Sequence, residues 1–256
     1  MNLLQLVNRT LSEAGSSQPA LTTAQNPAAG EVTRFVNWVI DAWNEIQTKQ
    51  IEWNWIRPWI QFNTVYQQQQ YSLAYLNANS TLQFAWNTGA SGATLTSVNA
   101  TIKQQVRKSF RSWDALIGLT NEQIVNFMDW DEFRNVYVYA TQRTNYSRPV
   151  IGTIAPDKSI WFGPIPDLGT GSGYTISLEV WLNPQVLAND TDIPLMPIDY
   201  HMLIVWKALE YYSLFESAPE VLQRSERGWN ALYGKLMQDQ LPVIYCGAPL
   251  ATDTRP

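Results

Sequence analysis

Two kinds of side chain in this sequence could perform acid–base chemistry, the only histidine and several closely spaced carboxylates. His201 lies two positions after Asp199, at the start of an apolar segment. Residues two apart on a helix do not face each other, so Asp199 cannot orient the imidazole as a catalytic triad requires. We therefore expect His201 to be a capping or half-buried side chain, and we predict no catalytic residue.

The carboxylates form two clusters, Asp129, Asp131 and Glu132 in MDWDEF, and Asp190 and Asp192 in NDTDIP. A glycosidase needs two carboxylates about 5 to 9.5 Å apart across a cleft, and adjacency in sequence does not supply that geometry. The second cluster also lacks the glycine and the final glutamate of a calcium-binding hand. Loop and helix-capping roles are expected for both, and calcium is only weakly indicated.

Other signatures of bound groups are missing or incomplete. The stretch Gly169 to Gly173 (GTGSG) has the composition of a phosphate-binding loop, but no Lys-Ser/Thr follows and the next segment has the pattern of a strand. We interpret it as a hairpin loop. The one cysteine, Cys246, cannot form an intrachain disulfide. One cysteine and one histidine also cannot supply the usual ligands of a zinc site. No cofactor and no metal are predicted.

The composition is unusual because tryptophan is abundant and charge is scarce. The 256 residues include 12 Trp but only 15% charged side chains, with a net charge of -5. A surface that grips nucleic acid needs clustered Lys and Arg, so this charge argues against an ordinary DNA or RNA binder. No apolar run approaches the roughly 18 residues of a membrane span, and no signal-peptide pattern opens the chain. We expect a protein made and kept in a reducing cytoplasm.

The densest aromatic cluster is formed by Trp38, Trp43, Trp53, Trp55 and Trp59. Trp residues can stack on sugars, which makes a carbohydrate-binding module the alternative hypothesis. Large aromatic side chains are, however, also usual anchors of cores and protein interfaces. We expect core or subunit contact, with Trp38, Trp53, Trp55 and Trp59 as the candidates for contact between subunits.

Apolar spacing predicts helices at both ends of the chain. Leu3 to Leu11 and the segment from Glu31 to before Pro58 each carry one apolar stripe, with a loop over 15–30 between them. After Pro194 and Pro197 a third helix is predicted, and Pro219 opens a fourth that closes at Leu241-Pro242. Residues 243–256 have no periodicity, so an extended tail is expected.

The middle of the chain favours short strands, since Pro and Gly punctuate segments rich in β-branched and aromatic residues. Ile176, Leu178 and Val180 alternate with polar neighbours, as expected of a half-buried antiparallel strand. A hairpin with its turn at 156–158 is also predicted. The predicted strands are Trp59 to Tyr66, Thr94 to Val106, Asn135 to Thr141, Val150 to Ala155, Ser159 to Phe162 and Tyr174 to Leu182.

These patterns together predict an α+β fold, in which N- and C-terminal helices form a helical bundle interrupted by a β-rich antiparallel insertion. The predicted parts are N-terminal helices over 1–57, the insertion over 58–193, C-terminal helices over 194–241 and an extended C-terminal arm over 242–256.

Several motifs resemble the head-to-tail adaptor, or connector, proteins of tailed phages. Residues 42–47 (AWNEIQ), followed by Trp53-Asn54-Trp55 and a strand leading to Tyr71-Ser72-Leu73, look like the opening of that family. Residues 156–167 and then 192–201 match a hairpin with a Pro-x-Pro turn, an acidic proline turn and a long helix. The resemblance extends over most of residues 30–240, whereas residues 1–30 carry no motif that matches.

The resemblance implies a non-enzymatic structural protein of the virion, placed at the head-to-tail junction. About twelve copies would form a ring beneath the portal protein, extend the DNA channel without binding DNA specifically, and offer a surface to the tail-side protein. In related adaptors a C-terminal arm docks on the portal. The matching residues here are Val243, Ile244, Tyr245 and Leu250 as apolar anchors, with Arg255 as a charge contact.

Three hypotheses are therefore open from the sequence. A ring-forming adaptor is favoured by the resemblance and by the low charge, because a negatively charged channel does not hold DNA. A carbohydrate-binding module would use exposed tryptophans. A hydrolase would act through Asp131 and Asp192, and it lacks a coherent acid–base set.

Overall fold

The computed structural model describes residues 1–25, 30–50, 52–168 and 173–241. Helices lie at both ends of this part of the chain and a largely antiparallel β-structure lies between them. The predicted α+β class is confirmed. The Gly-rich stretch 169–172 and the proposed arm over 242–256 lie outside the described residues.

The two N-terminal helices form where the apolar stripes predict them. Helix α1 spans Leu3–Ala14, begins with a capping box between Asn2 and Gln5, and ends at Gly15 in the left-handed conformation with φ 70°. Helix α2 spans Glu31–Lys49 and buries Phe35, Val39 and Trp43 among other residues. Helix α2 is therefore shorter than the prediction, which extended it toward Pro58.

Helices α5 (Met202–Glu216) and α6 (Pro219–Gln240) complete the bundle. Helix α5 lies at its centre and packs against α1, α2 and α6. Its one largely buried cation, Lys207, forms ion pairs with Glu45 of α2 at 2.9 Å and Glu210 at 3.0 Å. Gly228 of α6 lies directly against the Trp206 ring of α5, since a Cβ added at Gly228 would be 2.5 Å from Trp206 Cε2. This glycine permits the close approach of the two helices.

The insertion contains two sheets. The larger has the strand order β3-β1-β10-β5-β6, with β4 pairing to the far end of β10, and the smaller has the order β2-β9-β8-β7. All pairs are antiparallel except β7 with β8. The strands are β1 Trp59–Asn63, β2 Gln70–Tyr71, β3 Thr81–Gln83, β4 Ile102–Gln105, β5 Arg111–Asp114, β6 Gln123–Ile124, β7 Asn126–Phe127, β8 Ile151–Ile154, β9 Ile160–Gly163 and β10 Tyr174–Leu182.

Strand β10 organises the larger sheet because β1, β4 and β5 all pair with it. Ile176, Leu178 and Val180 are fully buried, as predicted. Of their polar neighbours, Thr175 and Glu179 are half-buried, whereas Ser177 is buried as well. The opposite face of the sheet carries Trp59 of β1, which lies opposite Glu179 of β10. One face of the sheet therefore belongs to the core, and the other is lined by grooves that face solvent.

The predicted strand over Asn135 to Thr141 is wrong. Helix α4 (Trp130–Phe133) continues into a wider helical turn over Arg134–Val138. The rings of Phe133 and Tyr137 stack at 5.0 Å, and Tyr137 also covers Gly163. The helical spacing of Phe133 and Tyr137 therefore decides the conformation, despite the alternation of valine and tyrosine over 136–139.

Other strand predictions were too long, and some short elements were missed. Of Thr94 to Val106 only β4 is a strand, because Asn99 at φ 50° and hydrogen bonds to Thr94 make the first part a turn. Strand β1 ends at Asn63 instead of Tyr66. Helix α3 (Leu73–Asn79), capped by Ser72, was not predicted. The hairpin β8–β9 with its turn at 156–158 is confirmed.

One cluster of buried side chains joins the bundle and the larger sheet. A pair of buried glutamines connects the two ends of the insertion. Gln47 Nε2 donates to the Gln185 carbonyl at 3.0 Å, and the Gln185 amide donates back to Gln47 Oε1 at 2.7 Å. We call this pair the glutamine clasp.

Candidate interaction surfaces

The His201 side chain is fully buried and committed to structure. Its Nδ1 lies 2.7 Å from the Met1 amino group, and its Nε2 lies 3.0 Å from the Met196 carbonyl oxygen. Burial, and then the positive charge on Met1, lowers the pKa of His201 from 6.5 to about 4. The neutral imidazole thus accepts from Met1 and donates to Met196. Both ring nitrogens of His201 are therefore engaged by groups other than Asp199.

Asp190 and Asp192 hold loops together. The Asp192 carboxylate is buried and accepts from the backbone amides of Ala188 and Asn189 and from the side chain of Asn99. Asp190 accepts from Thr23 Oγ1 and the Ala24 amide, both at 2.7 Å, which ties residues 23–25 to the loop before α5. Thr23 lowers the pKa of Asp190. These contacts agree with the predicted loop roles.

The first acidic cluster is exposed. Asp131 is 84% exposed and pairs with Arg134 at 3.4 Å, while Asp129 is the residue before α4. Among residues 1–25, 30–50, 52–168 and 173–241, no group of three or more His, Cys, Asp or Glu could hold a metal ion.

The tryptophan candidates divide into two classes. Trp53 and Trp55 are fully buried and stack on each other with their centroids 4.3 Å apart. These side chains are enclosed by their own chain, so their prediction as subunit contacts is wrong. Trp38 and Trp59 are half-buried and accessible. They remain candidates. Trp59 lines the grooves beside the first of the two exposed surfaces described next, and Trp38 belongs to the second.

The first surface lies at the edge of the larger sheet, where residues 115–124 connect β5 to β6. Four aliphatic side chains of this segment point to solvent, Leu116, Ile117, Leu119 and Ile124, with exposed fractions of 73%, 59%, 66% and 65%. Soluble monomers rarely expose so many aliphatic residues in one segment without a binding role. We call residues 115–124 the platform.

Hydrogen bonds fix the backbone of the platform. The amides of Leu116 and Gly118 donate to Asp114, and the Ala115 amide donates to the Gly173 carbonyl. Arg148 donates from Nη1 to Asn121 Oδ1 at 2.8 Å and from Nη2 to the Asn121 carbonyl at 2.7 Å. The exposed aliphatic side chains therefore stand on an ordered support.

Positive charge borders the platform. A groove beside Ile124 is lined by Arg57, Arg107, Lys108 and Arg111 together with Trp59. A second groove joins Leu119 to Trp59 and Arg111. Glu179 pairs with Arg57, and Glu122 pairs with Arg111 at 3.5 Å. Arg107 and Lys108 also line a third groove, together with Asp129 and Glu132.

The second surface lies where α5 ends and α6 begins. Leu214 and Phe215 are 63% and 54% exposed. The Phe215 ring packs on Trp38 at 5.7 Å and under the Arg34 guanidinium at 4.5 Å. Ser217, at φ 54°, ends α5 in the left-handed conformation. We call this surface, from Leu214 to Glu220 with Trp38 and Arg34, the corner.

The sequence contains signals for the platform that the pattern analysis missed. Lys103, Arg107, Lys108 and Arg111 place four of the 17 cations of the chain within nine positions. The segment LIGL at 116–119 is apolar yet includes a glycine typical of a turn. An apolar turn next to a basic run is a signal for an interface. The corner has no comparable signal, because Leu214 and Phe215 continue the apolar pattern of α5.

The predicted portal-binding residues Val243, Ile244, Tyr245, Leu250 and Arg255 lie outside the described residues. A search of the described helices finds none long and apolar enough to cross a membrane.

A histidine and carboxylates committed to structure, together with two exposed apolar surfaces, are features of a structural assembly protein. The model of the SU10 adaptor protein family matches residues 1–243. The chain belongs to this family of phage head-to-tail adaptor proteins, and it is a structural component of the virion. No curated protein matches the sequence.

Proposed function

We propose that this protein forms a ring of about twelve copies beneath the portal, extends the DNA channel and presents an attachment surface to the tail. The observation that carries the proposal is the family match over residues 1–243. The two exposed apolar surfaces support it, because a ring of identical subunits needs two different complementary patches on each subunit.

The charge of the chain suits a channel through which DNA slides. Each copy carries a formal charge of -5, so twelve copies carry 12 × -5, or -60. DNA-binding proteins gain affinity by neutralising phosphates with cations, and a ring of this net charge does not favour that gain. The proposed role is non-enzymatic, and the net charge supports the passage of DNA without specific binding.

Residues 242–256 are the proposed portal-binding arm, with Val243, Ile244, Tyr245 and Leu250 entering apolar pockets and Arg255 pairing with a carboxylate of the portal. Helix α6 ends at Gln240, so the arm starts where the bundle ends. Apolar anchors enclosed by polar contacts are typical of tight protein interfaces. Synthesis in the host cytoplasm and assembly at the head-to-tail junction complete the proposal.

The test is assembly with the purified portal oligomer of the same phage. Native mass measurement of the mixture should show about twelve added copies of the 29.2 kDa chain, and imaging should show a ring on one face of the portal. A chain that ends at Leu241 should remain folded and fail to bind. Absence of a complex at micromolar concentrations of the full-length chain would overturn the proposal.

The carbohydrate-binding alternative loses two of its tryptophans, Trp53 and Trp55, to the core. Titration with a panel of polysaccharides should leave the tryptophan fluorescence unchanged.

A further inference from the structure

We infer that the platform of one copy packs against the corner of the next copy around the ring, with apolar side chains at the centre and opposite charges at the rim. The inference rests on the proposed function, because it assigns the two surfaces that would join neighbouring subunits.

Both surfaces expose side chains that gain from leaving water. The platform offers four aliphatic residues, and the corner offers Leu214 and Phe215 backed by Trp38. A few residues at the centre of an interface carry most of its binding energy, and tryptophan is prominent among them. Burial of aliphatic side chains adds to that energy in proportion to the apolar area removed from water. The half-buried Trp59 in the grooves beside the platform and Trp38 in the corner put one predicted contact residue in each surface.

The charges at the two rims are opposite in sign. The two grooves that contain the platform residues Ile124 and Leu119 are lined by four cations and two carboxylates, which gives them a formal charge of +2. Asp129 and Glu132 lie in a third groove, which Arg107 and Lys108 also line. At the corner, Glu216 and Glu220 are exposed, and Glu31 with Glu216 raises the pKa of the neighbouring Tyr212, after the larger effect of burial. Glu31, Glu216 and Glu220 together with Arg34 give the corner a formal charge of -2. Complementary rims steer encounter and select orientation.

Both surfaces are ordered before they meet. Arg148 and Asp114 hold the platform backbone, and the corner rests on the ring contacts of Trp38 with Phe215 and Tyr212. Docking of preorganised surfaces loses less conformational entropy than docking of flexible ones. An aliphatic loop held in this way is therefore better suited to a partner than to solvent.

The partner assigned to each surface is a second copy, because the platform and the corner of one chain, both of which the structure describes in full, do not pack on each other. Among the described residues, the strands β5 and β6 make no extensive contact with α5 or α6. A contact between two different patches is heterologous, so it passes from each copy to the next and closes where the rotation fits. The charge complementarity is between two surfaces of the same sequence, which favours another copy over an unrelated partner.

Disulfide trapping tests the contact directly. In a Cys246→Ser background, chains with Leu119→Cys are mixed with chains carrying Leu214→Cys and oxidised with copper phenanthroline, both alone and on the portal. The inference predicts a disulfide between the two kinds of chain. The matched control pairs Leu119→Cys with Val186→Cys, because Val186 is exposed and lies outside both surfaces. At least a tenfold higher yield than in the control is expected, and equal yields would overturn the inference.

Charge reversal gives an independent test. Arg107→Glu with Lys108→Glu should lower the trapping yield severalfold, as should Glu216→Lys with Glu220→Lys, and one chain with all four changes should recover it. Circular dichroism of each variant checks folding. If rings form on the portal but neither trapping nor reversal responds, the inference fails and the proposed function stands. If the full-length chain does not bind the portal, the proposed function fails, and a platform–corner disulfide would show the contact by itself.

Discussion

Replacing Gly228 by alanine should destabilise the protein, whereas the same replacement at Gly234 should stabilise it. Both residues lie in α6, so each change gains about 1 kcal/mol of helix propensity. At Gly228 the new Cβ would stand 2.5 to 2.7 Å from three atoms of the Trp206 ring, but at Gly234 it meets nothing within 4 Å. Overpacking against a ring costs about 1 to 3 kcal/mol. A net loss of roughly 1 kcal/mol is expected at Gly228.

Urea unfolding monitored by tryptophan fluorescence measures the two variants against the unchanged protein. The two variants should differ by about 2 kcal/mol, so slopes of about 2 to 3 kcal/mol per M would separate their midpoints by roughly 0.7 to 1 M, with the unchanged protein between them. A double-mutant cycle with Trp206→Leu should remove most of the penalty at Gly228 and leave Gly234→Ala unaffected. Equal stability of Gly228→Ala and Gly234→Ala would refute close packing of α5 on α6 at this point.

Acidification from pH 7.5 to 5 should destabilise the unchanged protein by about 2 kcal/mol more than it destabilises His201→Gln. The reason is that the pKa of His201 is 6.5 in the unfolded chain and about 4 in the folded protein, so the unfolded chain takes up the proton first. The stability that the neutral His201 contributes is present above pH 6.5 and is lost as the pH falls toward 4. A difference in urea midpoint between the two proteins that does not change with pH would contradict the buried neutral imidazole. Asp192→Ala should cost about 3 kcal/mol by removing a buried carboxylate that accepts from two backbone amides and from the Asn99 side chain, and the half-buried control Asp190→Ala should cost less. Thermal unfolding compares the two, and equal losses would show that Asp192 has no special role.

Helices and the central strand could be predicted from the sequence because their periodicity reports directly which side is buried. Leu3 to Leu11 and the alternation of Ile176, Leu178 and Val180 are examples. The segment 135–141 could not, because the stacking of Phe133 on Tyr137 and the contact of Tyr137 with Gly163 depend on tertiary neighbours. Local propensity is a weak guide where packing decides the conformation.

The candidate surfaces were predicted less completely than the fold. Residue type alone could not separate Trp53 and Trp55, which stack in the core, from Trp38 and Trp59, which reach the surface. Leu214 and Phe215 look like core residues in sequence, and only the end of α5 at Ser217 exposes them. Exposure of an apolar residue is a property of the assembled fold, so it was not available from the pattern.

The glutamine clasp has a consequence for how this architecture can change over evolution. It joins two residues that are 138 positions apart in the sequence, Gln47 near the end of α2 and Gln185 after β10. Loops and strands far from the clasp can lengthen, shorten or be exchanged while the helices on the other side keep their relative positions, since insertions are best tolerated where they leave buried backbone contacts intact. The β-structure between the two glutamines can therefore change in length and sequence while the helical bundle is retained.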